Sequence, residues 1–279
     1  MNDGATLGNA IAATFATWER WPATRDLLIE RERAMYGSVE PYAIAQLVDR
    51  FCAANLGEPI AAYLFYASSQ GGVSGIELTD GQRVVVKAHM PTWTYAVLDT
   101  VHRVQRHLAD RGFPCPRPIL GPTGLGYGYA TVEELVDEGE YADAHRPAIR
   151  RAMAETLARQ ISSTRDLLDT PELCAALRSR MPSRRPEDTL WPEPHSPIFD
   201  LPATAKGAEW IDRIAAGARE MLARGAGEEI IEHTDWSAQN CRFIGAPHCF
   251  PRPFDRRVAS RGVPPTCAIV AVAMLGETN

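Results

Sequence analysis

The feature that most constrains the fold is a series of strand-like segments between Ile60 and Met90. It runs through an apolar segment, a Gly/Ser turn, a second apolar segment, the turn Thr79-Asp80-Gly81 and the β-branched run Val84-Val85-Val86. Short apolar runs separated by Gly- and Asp-containing turns are typical of consecutive antiparallel strands. We therefore predict three antiparallel strands in this segment.

Helical periodicity precedes these strands. Apolar residues recur every three to four positions in three segments: Ile11–Trp21, Ala23–Met35 and Pro41–Ala54. This spacing places the apolar side chains on one face of each helix. The chain is therefore expected to begin with a helical segment that leads into the sheet.

Helices and strands alternate after the first three strands. The patterns predict a helix over Thr92–Arg111, a strand over Gly128–Leu135, a long helix over Arg146–Leu168 and a further helix over Gly207–Ala223. The Pro- and Arg-rich stretch Thr170–Pro202 predicts a loop with one helical turn around Glu172–Arg178.

Composition excludes several classes of protein. The chain has 279 residues and a net charge of -6, with no basic stripe to neutralise phosphates, so a nucleic-acid partner is not expected. The six cysteines have no C-x-x-C spacing, which favours free thiols in a reducing compartment over a zinc site or a disulfide scaffold. No window approaches the roughly 18 apolar residues of a membrane span, and the N-terminus lacks the pattern of a signal peptide. We expect a cytoplasmic protein without a membrane partner.

A chemistry-bearing motif lies in Glu228–Phe243. A strand-like run ends in His233, and Asp235 and Asn240 follow with the spacing H-x-D-x-x-x-x-N. Phosphoryl transfer to a hydroxyl needs a carboxylate near the attacking oxygen and an amide oxygen on a magnesium ion. This loop supplies both groups and so predicts a phosphoryl-transfer site. The alternative is that His and Asx side chains simply cap the loop through local hydrogen bonds.

Two further signals precede this loop. Lys87 closes the strand VVVKA, where an ammonium can point into a cleft and bind nucleotide phosphates. Lys87 is one of only two lysines among 29 basic residues, and a compact ammonium suits a phosphate site. The turn from Ser68 to Gly75 comes just before this strand, and its glycines allow close approach of the backbone to phosphates. The structural alternatives are a solvated strand-end lysine and an ordinary hairpin turn.

Taken in order, these motifs resemble the aminoglycoside phosphotransferase family of small-molecule kinases. The matching segments are VVVKAH, QRHLADRGFPCPRPILGP, ATVEEL leading into GEYAD, and HTDWSAQNCRF, which is similar to the family's H-G-D-x-x-x-x-N loop. The resemblance implies a bilobal protein-kinase-like fold of the α+β class, with a small antiparallel sheet in the N-lobe and a mostly helical C-lobe. It also implies ATP and Mg²⁺ as cofactors, and a small molecule with a hydroxyl group as the acceptor.

The resemblance assigns roles to the residues at the matching positions. Asp235 is the expected catalytic base, and Lys87 is the expected phosphate-binding lysine. Asn240 and Asp255 are the expected metal ligands. His233 is then a structural residue.

The resemblance also outlines a nucleotide site. The Gly/Ser turn is expected to contribute Ser69, Gly71, Gly72 and Ser74. The strand Ala130–Leu135 is the expected hinge between the lobes, with the backbone of Glu133 and Leu135 toward the adenine. The side chains of Glu133 and Glu134 are expected to face water at the strand end.

Two features depart from the family pattern within the predicted site. The family places a helix glutamate against the strand lysine, but Thr92–Arg111 contains no glutamate. Asp99 and Gln105 are the nearest substitutes, and Asp99 is the expected partner. Asp255 has the offset of the family's second metal ligand, yet Pro251 and Pro253 remove the backbone donors that a strand would need.

The C-terminal segment differs in composition from the rest of the chain. Acidic residues almost vanish after Phe243, and only 24 residues follow Asp255. We therefore expect an incomplete C-lobe, as from truncation or an altered reading frame. In that case Ala268–Leu275 would be an apolar segment without a partner.

These observations give a first hypothesis and its rivals. The first is an ATP-dependent phosphotransferase divided into residues 1–55 (helical segment), 56–135 (N-lobe), 136–243 (C-lobe) and 244–279 (atypical tail). The alternative is a catalytically impaired relic that at most binds nucleotide. A hydrolase that uses His233 and Asp235 with Ser237 is disfavoured, because no nucleophile elbow surrounds that serine.

Overall fold

The computed structural model describes residues 6–20, 22–68, 71–179, 190–191, 203, 206–224, 229–233, 235–243 and 270–274. Two of the predicted site residues, Ser69 and Asp255, lie outside the described residues. No helix in the described part of the chain combines the length and apolarity that crossing a bilayer requires.

Three helices open the fold where the periodicity predicts them. They are α1 (Leu7–Trp18), α2 (Pro22–Tyr36) and α3 (Pro41–Leu56). The Thr6 side chain caps α1 by accepting a hydrogen bond from the Asn9 amide at 3.2 Å. Proline at the first position of α3 and Gly57 after its last residue, with φ of 83°, fix the ends of that helix.

A five-stranded antiparallel sheet follows. Its strands are β1 (Ile60–Ser68), β2 (Gly71–Leu78), β3 (Arg83–His89), β4 (Pro118–Leu125) and β5 (Gly128–Glu134). The order across the sheet is β1-β2-β3-β5-β4, and all neighbours are antiparallel. The three predicted strands and the strand at Gly128 are confirmed. β4 was not expected, because Pro118 begins it and glycines interrupt it; its edge position explains why it tolerates proline.

The two faces of the sheet serve different purposes. One face packs on the N-terminal helices, where Val84, Val86 and Val132 join Ile44 and Val48 in a buried core. Because side chains alternate along a strand, Val85 and Lys87 point to the opposite face. The sheet therefore separates an apolar core from the face that carries the predicted lysine.

Helix α4 (Tyr95–Asp110) packs against β4 and β5. The Thr94 hydroxyl caps its N-terminus by accepting from the Val97 amide at 3.4 Å. The helices α5 (Pro147–Ser163), α6 (Pro171–Arg178) and α7 (Glu209–Arg224) follow, with a short 3-10 helix at Arg165–Asp169. A second buried core lies between α4, α6 and the strand that contains Ile231. Its members include Val104, Leu108, Leu173, Leu177 and Ile231.

The strand predicted at Ile230 forms β6 (Glu229–His233). It pairs in antiparallel register with β7 (Val270–Met274), from Glu229 opposite Met274 to His233 opposite Val270. The expectation that Ala268–Leu275 lacks a partner was therefore wrong, because the backbone of Val270–Met274 within that segment pairs with β6. The predicted fold class, an antiparallel sheet followed by a mainly helical part, is confirmed.

Candidate active site

A cavity of about 350 Å³ lies between the sheet and the second helical part. Lys87, Glu133 and Gln105 line it from β3, β5 and α4, while Met153, Trp236 and Asn240 line it from α5 and the loop after β6. Two predicted site residues that are far apart in the sequence, Lys87 and Asn240, thus line one cavity.

Lys87 is held in a buried ion pair. Its Nζ lies 2.7 Å from Oε1 of Glu133, and the two side chains are only 10% and 5% exposed. The second carboxylate oxygen of Glu133 accepts a hydrogen bond from Nε2 of Gln105 at 2.8 Å. Gln105 Nε2 also donates to the Pro116 carbonyl at 2.9 Å. The lysine is therefore part of a polar group that spans β3, β5 and α4.

Strand register explains why these side chains meet. Glu133 lies directly opposite Val85 in the β3–β5 ladder, and Thr131 lies opposite Lys87. Lys87 and Glu133 are thus diagonal neighbours on one face, within reach of two long side chains. The expectation that the Glu133 side chain faces water was wrong. Glu134, which is exposed at the strand end, does fit that expectation.

The partner of Lys87 was expected on α4. The carboxylate beside Lys87 comes instead from β5, and Asp99, the expected partner, is not the residue that pairs with it. Gln105, the other substitute considered, does enter the site, as a donor to Glu133. The signal that could have revealed this arrangement is the pairing of VVVKA with ATVEEL, which requires knowledge of the strand register.

The loop after β6 brings the catalytic motif together. The Asp235 amide donates to Nδ1 of His233 at 3.2 Å, and the Asp235 carbonyl accepts from Nδ2 of Asn240 at 2.9 Å. The same carbonyl accepts from the Ser237 amide at 3.1 Å. The Asp235 side chain is exposed. These bonds fix the backbone of Asp235 and leave its carboxylate free of this local network.

Trp236 anchors this loop to α5. Its Nε1 donates to the Met153 carbonyl at 3.1 Å, and its ring packs edge-on against His233, with centroids 5.8 Å apart. His233 therefore contacts both the Asp235 backbone and the Trp236 ring. This is a supporting position of the kind that the family resemblance implies for this histidine.

Only part of the Gly/Ser turn lies on the face of the sheet that carries Lys87. Ser74 is 1% exposed and lies opposite Val86, so its hydroxyl faces the helical layer rather than the cleft, contrary to the prediction. Gly72 is on that same face, and a Cβ there would lie 2.0 Å from the Tyr36 hydroxyl. The glycine at 72 is therefore explained by packing. Gly71 lies on the Lys87 face, opposite His89.

The hinge differs in detail from the prediction. The Leu135 amide donates to the Arg83 carbonyl at 3.1 Å, so this donor is engaged within the sheet and not directed at the cleft. The residues of this segment that line the cavity are Glu133, Val136 and Glu138. Leu135 itself is not among the residues that line the cavity.

The end of the catalytic loop is joined to the segment that follows β5. Arg242 donates to the carbonyls of Asp137 and Gly139 at 3.1 and 2.8 Å, and its guanidinium lies over the Tyr141 ring. Phe243 and Glu140 exchange backbone hydrogen bonds of 2.8 and 3.1 Å. These contacts tie the segment after the predicted hinge to the predicted catalytic loop.

Burial tunes two groups near the lysine. His89 shares the face of Lys87 and contacts the Thr131 hydroxyl at 2.9 Å, and burial together with the Lys87 charge lowers the His89 pKa to about 3. Burial, aided by Glu133, raises the pKa of the Cys115 thiol to about 12. Both groups are therefore neutral at physiological pH, and the charges on this side of the cleft are those of Lys87 and Glu133.

The described residues could bind a magnesium ion only together with the phosphates of a nucleotide. The described residues contain no cluster of three His, Cys, Asp or Glu side chains suited to a metal. Mg²⁺ in nucleotide sites, however, uses one or two protein oxygens together with phosphate oxygens. Because the Asn240 amide nitrogen is bound to the Asp235 carbonyl, the amide oxygen remains for such a role.

A comparison with protein families matches residues 71–248 to the phosphotransferase enzyme family. The match spans well over half of the chain and includes Lys87, Asp235 and Asn240. The chain belongs to this family, and the predicted membership of the aminoglycoside phosphotransferase family is confirmed.

Other comparisons are more distant. No curated protein sequence matches this chain at a significant level. Among solved structures, the chain is similar to spectinomycin phosphotransferase in complex with ADP and spectinomycin, with a TM-score of 0.48 and 13% identity. That alignment covers 72% of this chain, and this chain spans 65% of the length of that structure.

Proposed function

We propose that this protein is an ATP-dependent phosphotransferase that phosphorylates a hydroxyl group of a small molecule. The observation that carries the proposal is the cavity, which is lined by Lys87 from β3 and by Asn240 from the loop after β6. Membership of the phosphotransferase family supports the same reaction class.

Each group of the chain has a defined task in this proposal. The Lys87 ammonium binds phosphate oxygens of the nucleotide as a point charge. The Asp235 carboxylate accepts the proton of the acceptor hydroxyl. The hydroxyl oxygen forms a bond to the γ-phosphorus while the bond between that phosphorus and ADP breaks. The Asp235 amide donates to His233 and its carbonyl accepts from Ser237 and Asn240, so the backbone that carries this carboxylate is fixed. Catalysis is therefore mostly positioning and electrostatics.

Asn240 is the described residue that would hold Mg²⁺ through its amide oxygen. The ion, when bound, neutralises charge on the triphosphate. Asp255 remains a proposed second ligand from its offset in the sequence. The acceptor is proposed only as a class, a hydroxylated small molecule, and aminoglycosides are one group to include in a screen.

Asp235→Asn tests the proposed base. We expect kcat for ATP-dependent phosphorylation of an acceptor found by screening to fall by about 10² to 10⁴, the usual contribution of a general base. Nucleotide affinity should stay unchanged, because Lys87 and Asn240 remain. The readouts are kcat from coupled ADP release and the dissociation constant of ATP.

The matched control is Asp169→Asn, which changes an exposed aspartate outside the cleft. A wild-type kcat in the Asp235→Asn variant would contradict the assignment of the base. If a broad panel of hydroxylated acceptors gives no ATP-dependent product while ATP binds, the non-catalytic alternative is the better account.

A further inference from the structure

We propose that Glu133 is the positioning residue for Lys87, and that Gln105 in turn orients Glu133. The Lys87 ammonium is then oriented by its own sheet rather than by a carboxylate on α4. This inference rests on the proposed function, since it assigns how the phosphate-binding lysine is held.

Burial gives the pair its importance. As whole residues, Glu133 is 4% exposed and Lys87 is 8% exposed, so each charge needs a partner to offset the lost solvation. The Lys87 ammonium carries three donors and lies at ion-pair distance from Oε1 of Glu133. The ion pair fixes the direction of the lysine side chain, and its donors can contact phosphate oxygens.

Gln105 fixes the orientation of the carboxylate. It is 7% exposed, and its single amide nitrogen donates to both Glu133 Oε2 and the Pro116 carbonyl. Because Oε2 is held by Gln105, Oε1 is directed at Lys87. A hydrogen bond joins Gln105 to Glu133 and an ion pair joins Glu133 to Lys87, and all three residues line the cavity.

Strand pairing makes this arrangement rigid. β3 and β5 are adjacent antiparallel strands, with Val85 opposite Glu133 and Lys87 opposite Thr131. Backbone hydrogen bonds therefore set the distance between the Cα atoms of Lys87 and Glu133. A movement of α4 would displace Gln105 but would not separate the ion pair, unlike a pair formed with a helix residue such as Asp99.

The test uses the scarcity of lysine in this chain. Lys87 and Lys206 are the only lysines, so protein labelled with carbon-13 at lysine Cε gives two signals. Lys206 is exposed and serves as an internal reference. The full chain would be titrated with Mg²⁺ and ATP as wild type, Glu133→Gln and Asp99→Asn, while the Lys87 signal and the dissociation constant of ATP are measured.

We expect the wild-type Lys87 signal to move on nucleotide addition. In Glu133→Gln the signal of the free protein should differ from wild type, and ATP should bind at least about tenfold more weakly, since the buried ion pair that orients the lysine has been removed. Asp99→Asn should match wild type in both readouts. A merely structural role would lower the melting temperature of Glu133→Gln without changing the ATP affinity or the response of the Lys87 signal.

Glu133→Gln with wild-type affinity and a wild-type Lys87 response would overturn the inference. If Glu133→Gln does not fold, Gln105→Met frees the carboxylate without removing it. We expect it to weaken ATP binding by about threefold to tenfold, from the loss of a hydrogen bond to a charged group, and unchanged affinity would overturn the proposal. If the wild-type Lys87 signal does not respond to nucleotide and ATP does not bind, the proposed function itself fails.

Discussion

At the scale of single residues, the same short strands serve both packing and chemistry. Lys87 could be predicted from the sequence because it closes an apolar strand in a chain that has almost no other lysine. Its partner Glu133 could not, because that contact depends on which residues of β3 and β5 stand opposite each other. Ser74 shows the same limit, since the alternation that directs it to the helical layer follows from the register.

The glycine at 72 gives a prediction at this scale. Tyr36 is 6% exposed and hydrogen-bonded to Tyr66, so its hydroxyl has little room to move away from a methyl group. We expect Gly72→Ala to lower the free energy of unfolding by about 1 to 3 kcal/mol through overpacking. Urea unfolding would measure the change.

Gly124→Ala is the matched control, because a Cβ at that strand position meets nothing within 4 Å. Combining Gly72→Ala with Tyr36→Phe removes the closest atom and should recover part of the loss. A Gly72→Ala variant as stable as wild type would show that packing against Tyr36 does not account for this glycine.

At the scale of elements, hydrophobic periodicity located most helices and strands. The missed element, β4, begins at a proline and contains glycines, which are unfavourable in central strands but acceptable at the edge that β4 occupies. The pairing of β7 with β6 was missed for another reason. Composition alone gave no partner for this late apolar segment, whereas the backbone of β6 supplies one.

The link between the hinge segment and the catalytic loop yields a prediction for these elements. Arg242→Met removes two hydrogen bonds to the carbonyls of Asp137 and Gly139 and the contact with Tyr141. We expect the free energy of unfolding to fall by about 1 to 2 kcal/mol, a value at the low end for charged donors because the guanidinium is partly exposed. Chemical denaturation would measure it, and kcat should also fall because Asn240 is only two residues away.

Arg103→Met is the control, since Arg103 is an exposed arginine on α4. It should change neither quantity appreciably. Equal stability and equal kcat for the Arg242→Met variant and wild type would contradict a role for this arginine in joining the two segments.

At the scale of the whole molecule, one face of the sheet packs on a buried apolar core and the other face is polar. The polar face should contribute to the pH dependence of the free energy of unfolding. The folded-state pKa of His89 is lowered to about 3 by burial and by the Lys87 charge. In the unfolded chain a histidine takes up a proton below a pH of about 6.5. The contribution of neutral His89 is therefore fully present above that pH and is lost as the pH falls toward about 3.

We expect the free energy of unfolding to fall on acidification below pH 6.5 by up to about 1.4 kcal/mol per pH unit from this one group. His89→Asn should flatten that slope, because the group that takes up the proton is then absent. Unfolding curves in urea at several pH values would measure the slopes. An equally steep slope in the His89→Asn variant would contradict a histidine that stays neutral in the folded protein.

We propose that Lys87 and Asn240 form one site for ATP and Mg²⁺, and the first experiment is a calorimetric titration of the full chain with ATP. We expect ATP to bind and Mg²⁺ to tighten the binding. Asn240→Ala should remove most of the tightening, while Lys87→Met should weaken binding in both conditions. Absence of ATP binding with and without Mg²⁺, or an affinity that Mg²⁺ leaves unchanged, would contradict it.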